Sequence, residues 1–183
     1  MKCPICKGSR FQPSKGPYRF TESGLDWVYL IGVRHGRCDD CRDHVVVLPQ
    51  PEVLFAEIAK RIMRDGGPLR PAEIRFLRRL VGWSQENLAT AMGVERVTVA
   101  RWEGGTEPRF PHMHILLKAV WLRRYLEESR ERGCGVLKHE DLTRLSNEIT
   151  LLGEAIRKIR SAVPGRGRIT IDVRTLKAER AAC

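Results

Sequence analysis

Two Cys-x-x-Cys pairs, Cys3/Cys6 and Cys38/Cys41, constrain this chain more than any other feature. Each pair lets two thiolates approach one ion from a single turn, and four thiolates fill a tetrahedral shell. The turn Cys3-Pro4-Ile5-Cys6 is tight enough for its backbone N–H groups to face the sulfurs. Between the pairs lie two strand-like runs, Tyr18-Arg19-Phe20-Thr21 and Trp27-Val28-Tyr29-Leu30-Ile31. Glu22-Ser23-Gly24-Leu25-Asp26 joins them as a hairpin loop that brings the pairs together. A further strand is expected from His44 to Leu48. A β-rich domain of residues 1–48 has too small a core to stand without a metal. One structural zinc per chain is therefore expected on Cys3, Cys6, Cys38 and Cys41, although thiolates also accept other thiophilic metals. His35 and His44 flank the second pair, either as substitutes for a cysteine or as ordinary residues beside a turn.

A shell filled by four thiolates leaves no position open for a substrate. The sequence holds no His-Glu-x-x-His run and no Ser/His/Asp grouping, so no catalytic residue and no enzymatic activity are expected. Cys134 and Cys183 have no close ligand partner and are expected to be incidental thiols. The longest apolar runs, such as Val45-Val46-Val47-Leu48, are far too short to cross a bilayer. The chain opens Met1-Lys2-Cys3-Pro4 without an apolar run behind it, and a cytoplasmic protein is expected. Its formal net charge of +11 suits an anionic partner, nucleic acid first. Residues 71–111 hold six Arg and five acidic residues, so the excess charge does not mark where that partner binds.

Pro49-Gln50-Pro51 breaks the β pattern. Glu52–Met63 then reads as a helix with Val53, Leu54, Ala56, Ile58 and Ile62 on its apolar face. Arg64-Asp65-Gly66-Gly67-Pro68 reads as a linker. Pro71 suits a first helical position, with Ile74, Leu77, Leu80 and Val81 as an inner stripe and Gly82 as the stop. Ser84 is an N-cap for a short helix that turns Leu88, Ala89 and Met92 inward. Gly93 makes a turn, and a third helix from about Arg96 to Glu103 buries Val99 and Trp102 before Gly104-Gly105 closes it. A fourth helix is expected from about Pro111 to Arg130.

The stretch from Val81 to Gly105 resembles the lambda-repressor-like (XRE) helix-turn-helix. Ser84-Gln85, Leu88-Ala89, Gly93-Val94, Val99, Glu103-Gly104-Gly105 and Pro108 carry the likeness. The resemblance implies that the third helix enters the major groove of double-stranded DNA and that Gln85 reaches a phosphate. It also implies that Arg96, Val97 and Arg101 face the bases, with Thr98 near a phosphate or a thymine methyl. Residues 97 and 101 are four apart on one helix face, and Arg can grip O6 and N7 of guanine together.

Two cysteine pairs ahead of such a module resemble the MqsA-type antitoxins, or YgiT-type zinc-finger regulators. Ser23-Gly24-Leu25, Val28-Tyr29-Leu30, Gly32-Val33 and Cys38-x-x-Cys41 are similar to that family's metal domain, and Glu73-Ile74-Arg75-Phe76-Leu77-Arg78 to its entry into the reader. The likeness covers about residues 1–125. It implies a structural zinc, a toxin ribonuclease as partner of the N-terminal domain, and a homodimer that represses its own operon. Lys7 and Arg42 depart from the pattern, standing where a Gly commonly follows each pair.

Leu142, Leu145, Ile149, Leu152, Ile156 and Ile159 form a heptad stripe after the break at Gly133-Cys134-Gly135. It is expected either to pair two chains or to fold back on the helix of residues 111–130. Ile169 to Val173 is one more strand-like run. The fold class expected is α+β, with a metal domain at 1–48, a helix and linker at 49–67, the reader at 68–130 and a helical extension at 131–183. The function expected is a DNA-binding transcriptional repressor, and the alternative is a toxin-neutralising module whose DNA binding is secondary.

Overall fold

The computed structural model describes residues 2–14, 16–48, 50–65, 67–106, 112–132 and 168–176, with positions 143 and 147. The architecture is α+β, with most of the strands ahead of the helices and one short strand after them. The chain divides into two compact units, Met1–Leu54 with Gly167–Ala178, and Phe55–Arg166 with Glu179–Cys183. The heptad stripe, Cys134, Cys183 and Pro108 lie outside the described residues.

The first unit holds two three-stranded sheets. One is antiparallel, with β1 (Phe11–Pro13) beside β4 (Arg34–Cys38) and β4 beside β5 (His44–Val47). The other places β3 (Val28–Ile31) between β2 (Tyr18–Arg19), antiparallel, and β6 (Ile169–Asp172), parallel. The strand expected over Tyr18–Thr21 stops at Arg19, because Thr21–Ser23 wind into a 3-10 turn that Gly24 ends at φ 74°. Neither β1 nor β4 has a sequence signature. β1 has three residues, and β4 reads Arg-His-Gly-Arg-Cys, with no run of apolar side chains. Pairing, not propensity, makes them strands.

Helix α1 runs over Pro51–Arg64, a residue beyond the expected span at each end. It buries Leu54, Ala56, Ile58 and Ile62 as the periodicity predicts, adds Ala59 and Met63, and leaves Val53 half-buried. In the second unit α2 (Pro71–Leu80), α3 (Gln85–Met92), α4 (Arg96–Glu103) and α5 (His112–Arg132) pack together, α4 against α2 and α3, and α5 against the same two. Ile74, Leu77, Val81, Leu88, Ala89, Met92, Val99 and Trp102 are buried as expected, and Phe76 joins them, whereas Leu80 is only half-buried. The Trp121 indole N–H donates to the Leu77 carbonyl at 2.7 Å and fixes α5 on α2. The segment expected to be a linker is held in place. Lys118, 2% exposed, donates through Nζ to the carbonyls of Asp65 at 2.5 Å and Gly67 at 3.4 Å. Among the described residues, no helix is long and apolar enough to cross a membrane.

Candidate metal centre and nucleic-acid interface

The four cysteines of the two pairs come together, with all four sulfurs within 4.8 Å of one another. Cys3 Sγ lies 3.9 Å from Cys41 Sγ, and Cys6 Sγ lies 3.6 Å from Cys38 Sγ. A tetrahedral zinc with Zn–S bonds of about 2.3 Å needs sulfur–sulfur edges of about 3.8 Å, so this donor set fits a thiophilic dication. The two turns are built alike. The Cys3 N–H donates to Gly8 O at 2.8 Å and the Cys38 N–H to Asp43 O at 2.9 Å. The N–H of Gly8 faces the Cys6 sulfur, as that of Asp43 faces Cys41. Lys7 and Arg42, the two departures from Gly, both sit at φ 61°, the left-handed region that glycine tolerates and other L-residues resist. The hydrophobic cluster around the site consists of Cys3, Phe11, Cys38 and Val45, with Cys41 packed against it. Two of its four buried members are themselves thiols, so a bound metal would do much of the work of a core.

The thiols conflict when no cation separates them. Burial opposes ionisation of Cys3, but the N–H groups of Cys6 and Ile5 and the thiols of Cys38 and Cys6 outweigh it and draw Cys3 down to about 7. At Cys41 the Asp43 N–H favours the thiolate, yet burial and the three neighbouring thiols push it up to about 12. A dication on Cys3, Cys6, Cys38 and Cys41 would remove that conflict and supply a fixed cross-link between the two turns. Asp40 adds a second link. Its carboxylate accepts from Arg10 Nε at 2.6 Å and from the Arg10 N–H at 3.1 Å. His35 and His44 do not join the sulfurs. They pack instead with Tyr18, their ring centroids 5.1 and 5.7 Å from it.

In the second unit, Ser84 caps α3 through a reciprocal box with Asn87: the Asn87 N–H donates to Ser84 Oγ at 3.1 Å and the Ser84 N–H to Asn87 Oδ1 at 2.9 Å. Gly93, at φ 66°, ends α3 in the left-handed conformation and turns the chain into α4. On α4, Val99, Trp102 and Glu103 face inward, leaving Val97 and Arg101 on the opposite face. Val97 is 48% exposed, which is high for an aliphatic side chain in a packed unit. Thr98 is half-buried at the edge of that face. Arg96 bends back, and its Nη1 donates to Gln85 Oε1 at 3.2 Å.

The other end of the Gln85 amide is also occupied, with Nε2 donating to Glu103 Oε2 at 2.9 Å. Glu103 is a buried hub that the sequence marks only as part of a motif. It accepts from Arg78 through both oxygens, and its backbone carbonyl accepts from Arg75 Nη2 at 2.7 Å. Burial alone would raise the Glu103 carboxyl. Hydrogen bonds from Arg78 and Gln85 and the charges of Arg78 and Arg75 outweigh burial and hold it below the ordinary range. The one available signal was the 3-4 spacing of Val99, Trp102 and Glu103, which puts a carboxylate on the buried stripe.

Of the expected site residues, Cys3, Cys6, Cys38 and Cys41 form one cluster, and Gln85 and Arg96 touch. Val97 and Arg101 share the exposed face of α4. Neither curated proteins nor solved structures give a match to this chain. Residues 74–119 match the helix-turn-helix family model, and this stretch, from within α2 to within α5, is a helix-turn-helix domain.

Proposed function

We propose that this chain is a sequence-specific regulator of transcription, a repressor that binds double-stranded operator DNA as a homodimer in the cytoplasm. The observation that carries the proposal is the outward face of α4 in a domain that matches a helix-turn-helix. Val97 offers an apolar surface suited to a thymine methyl, and Arg101 a two-pronged donor suited to guanine. Gln85, at the start of α3, is assigned to a phosphate, and Thr98 to a phosphate or a thymine methyl. Arg96 is assigned to a base, for which its guanidinium has to share or give up the contact with Gln85. The dimer rests on the heptad stripe of residues 142–159 and on the way such readers occupy two half-sites. One zinc per chain, on the four cysteines, is assigned a structural role.

Capture of fragmented genomic DNA by the purified protein tests this reading and finds the operator together. Enrichment of one shared sequence, with binding that weakens as salt rises, is expected. Recovery of no DNA by the folded, metal-loaded protein removes the proposal. A toxin ribonuclease as partner of the N-terminal unit rests only on the residue resemblance over 1–125. A stable complex with the product of an adjacent small gene is its test.

A further inference from the structure

Helix α4 opens on a carboxylate that has nothing to do within the fold. Glu95 is the N-cap residue, in extended backbone at φ −76° and ψ 149°, yet its side chain accepts no hydrogen bond from the first turn of the helix. An N-cap side chain is ordinarily engaged with one of those N–H groups. Ser84, the N-cap of α3, is engaged in that way by the Asn87 N–H. At Glu95 only the main chain starts the helix, its carbonyl accepting from the N–H groups of Thr98 at 2.9 Å and Val99 at 3.4 Å. The residue is exposed and, among the described residues, its carboxylate has no hydrogen-bond or ion-pair partner. The nearest guanidinium in sequence does not neutralise it, because Arg96 turns to Gln85 Oε1 at 3.2 Å. Arg101, on the outward face of the same helix, is likewise exposed and without a partner among the described residues.

A free carboxylate has few compatible neighbours in a major groove. Phosphates repel it, and so do most base edges. Guanine presents two acceptors, thymine an acceptor and a methyl, and adenine an acceptor beside its amino donor. Cytosine presents a donor alone, its N4 amino group. We propose that Glu95 is a specificity-determining residue of the DNA reader, accepting from cytosine N4 and rejecting the other three bases by repulsion. The inference rests on the reading of this domain as a sequence-specific regulator, and adds a base that its operator contains. Six residues separate Glu95 from Arg101, about 9 Å along a helix rising about 1.5 Å per residue. Base pairs repeat at about 3.4 Å, so for a helix lying along the groove the cytosine is roughly two to three pairs from the guanine gripped by Arg101.

The test is selection from a pool of random duplexes by the full, metal-loaded chain. Wild type, Glu95→Gln, Glu95→Asp and Glu95→Ala are compared, with the thermal midpoint of each. The wild-type pool is expected to show cytosine at one position, at least about fivefold over each other base, beside an enriched guanine at that spacing. Glu95→Gln keeps the size of the side chain but pairs with N6 and N7 of adenine, so the same position should turn to adenine. Glu95→Ala should lose preference at that position alone. It should also bind a scrambled duplex several-fold more tightly, because a charge that phosphates repel is gone. Glu95→Asp separates base reading from a role in starting the helix. It keeps the negative charge at the α4 N-terminus and is the better N-cap, so its midpoint should not fall. Being one methylene shorter, it should still lose the cytosine. Unaltered base preferences in the Glu95→Ala pool overturn the proposal. So does a loss of preference spread over the whole site, which would make Glu95 a residue of the helix start alone. A folded wild-type chain that enriches no duplex removes the regulator reading itself, and this inference with it.

Discussion

Arg78 grips the carboxylate of Glu103 with two prongs, Nε to Oε1 at 2.6 Å and Nη2 to Oε2 at 3.0 Å, where the Glu103 side chain is 2% exposed and that of Arg78 10%. The pair ties α2 to the last residue of α4, and the remaining Arg78 nitrogen, Nη1, donates to the Trp83 carbonyl at 2.7 Å. Glu103 also holds the Gln85 amide, so one buried carboxylate orders α2, the start of α3 and the end of α4. Glu103→Ala would leave Arg78 buried without its counter-charge. A loss of about 3 kcal/mol in chemical denaturation is expected, with Arg78→Ala costing a similar amount. Because the two act as a pair, the double variant should lose less than the sum, and additive losses would show that they are not coupled.

The same carboxylate is expected to make the helix-turn-helix acid-sensitive. Its carboxyl is held below the ordinary range in the folded state, so the folded form binds its proton more weakly than the unfolded form does. The stability it contributes is complete above the unfolded value of about 4.3 and is lost as pH falls from there through the lower folded value. Denaturation midpoints measured between neutral pH and pH 3 should fall in that window, and Glu103→Gln should flatten this part of the curve. An unchanged slope in that variant assigns the acid sensitivity to other carboxylates.

Protein purified without added metal is expected to carry about one equivalent of zinc, as a closed thiolate site implies. Cobalt substitution should give the intense absorption of tetrahedral thiolate coordination, and Cys38→Ser should abolish it. Removal by a chelator should unfold the sheet around the site, since two of the four buried side chains in that cluster are thiols. A metal-free chain whose first unit keeps its fold would remove the metal from the account.

Lys7 and Arg42 occupy matching left-handed positions, each the residue after a cysteine pair. Relief of that conformation is worth about 1–2 kcal/mol per residue, partly offset by the added freedom of glycine in the unfolded chain. Lys7→Gly and Arg42→Gly should each raise the stability of the metal-loaded first unit by up to about 1 kcal/mol. A loss in either would show that the basic side chain contributes more than its backbone costs.

Arg101→Ala should weaken operator binding by roughly one to two orders of magnitude, the value of a two-pronged contact to guanine, while leaving non-specific binding nearly intact. Gln85→Ala should lower affinity for all duplexes similarly. It also frees Arg96 and removes a donor from Glu103, so its folding stability has to be measured beside its affinity. Titration against operator and scrambled duplex at one salt concentration separates the two roles. Equal losses on both duplexes for Arg101→Ala would make that residue a phosphate anchor.

Helix α4 spans Arg96–Glu103 in the structure as in the sequence, and Ser84 and Gly93 cap and turn where their chemistry predicts. These features need only partners within about four residues, so the local sequence determines them by itself. The cysteine cluster was legible for the same reason: each pair is a local turn, and only the meeting of the two turns is long-range. Strands β1 and β4, the Arg78–Glu103–Gln85 network and the Lys118 contacts with Asp65 and Gly67 have no such signature. Each pairs groups far apart in the chain, and which buried charge or strand edge meets which depends on packing. Ile169 to Val173 reads as strand-like from its residues alone. That it lies parallel to Val28–Ile31, well over a hundred residues upstream, was decided by the tertiary structure, because an unpaired edge and two buried aliphatic side chains find their complement only once the sheet exists.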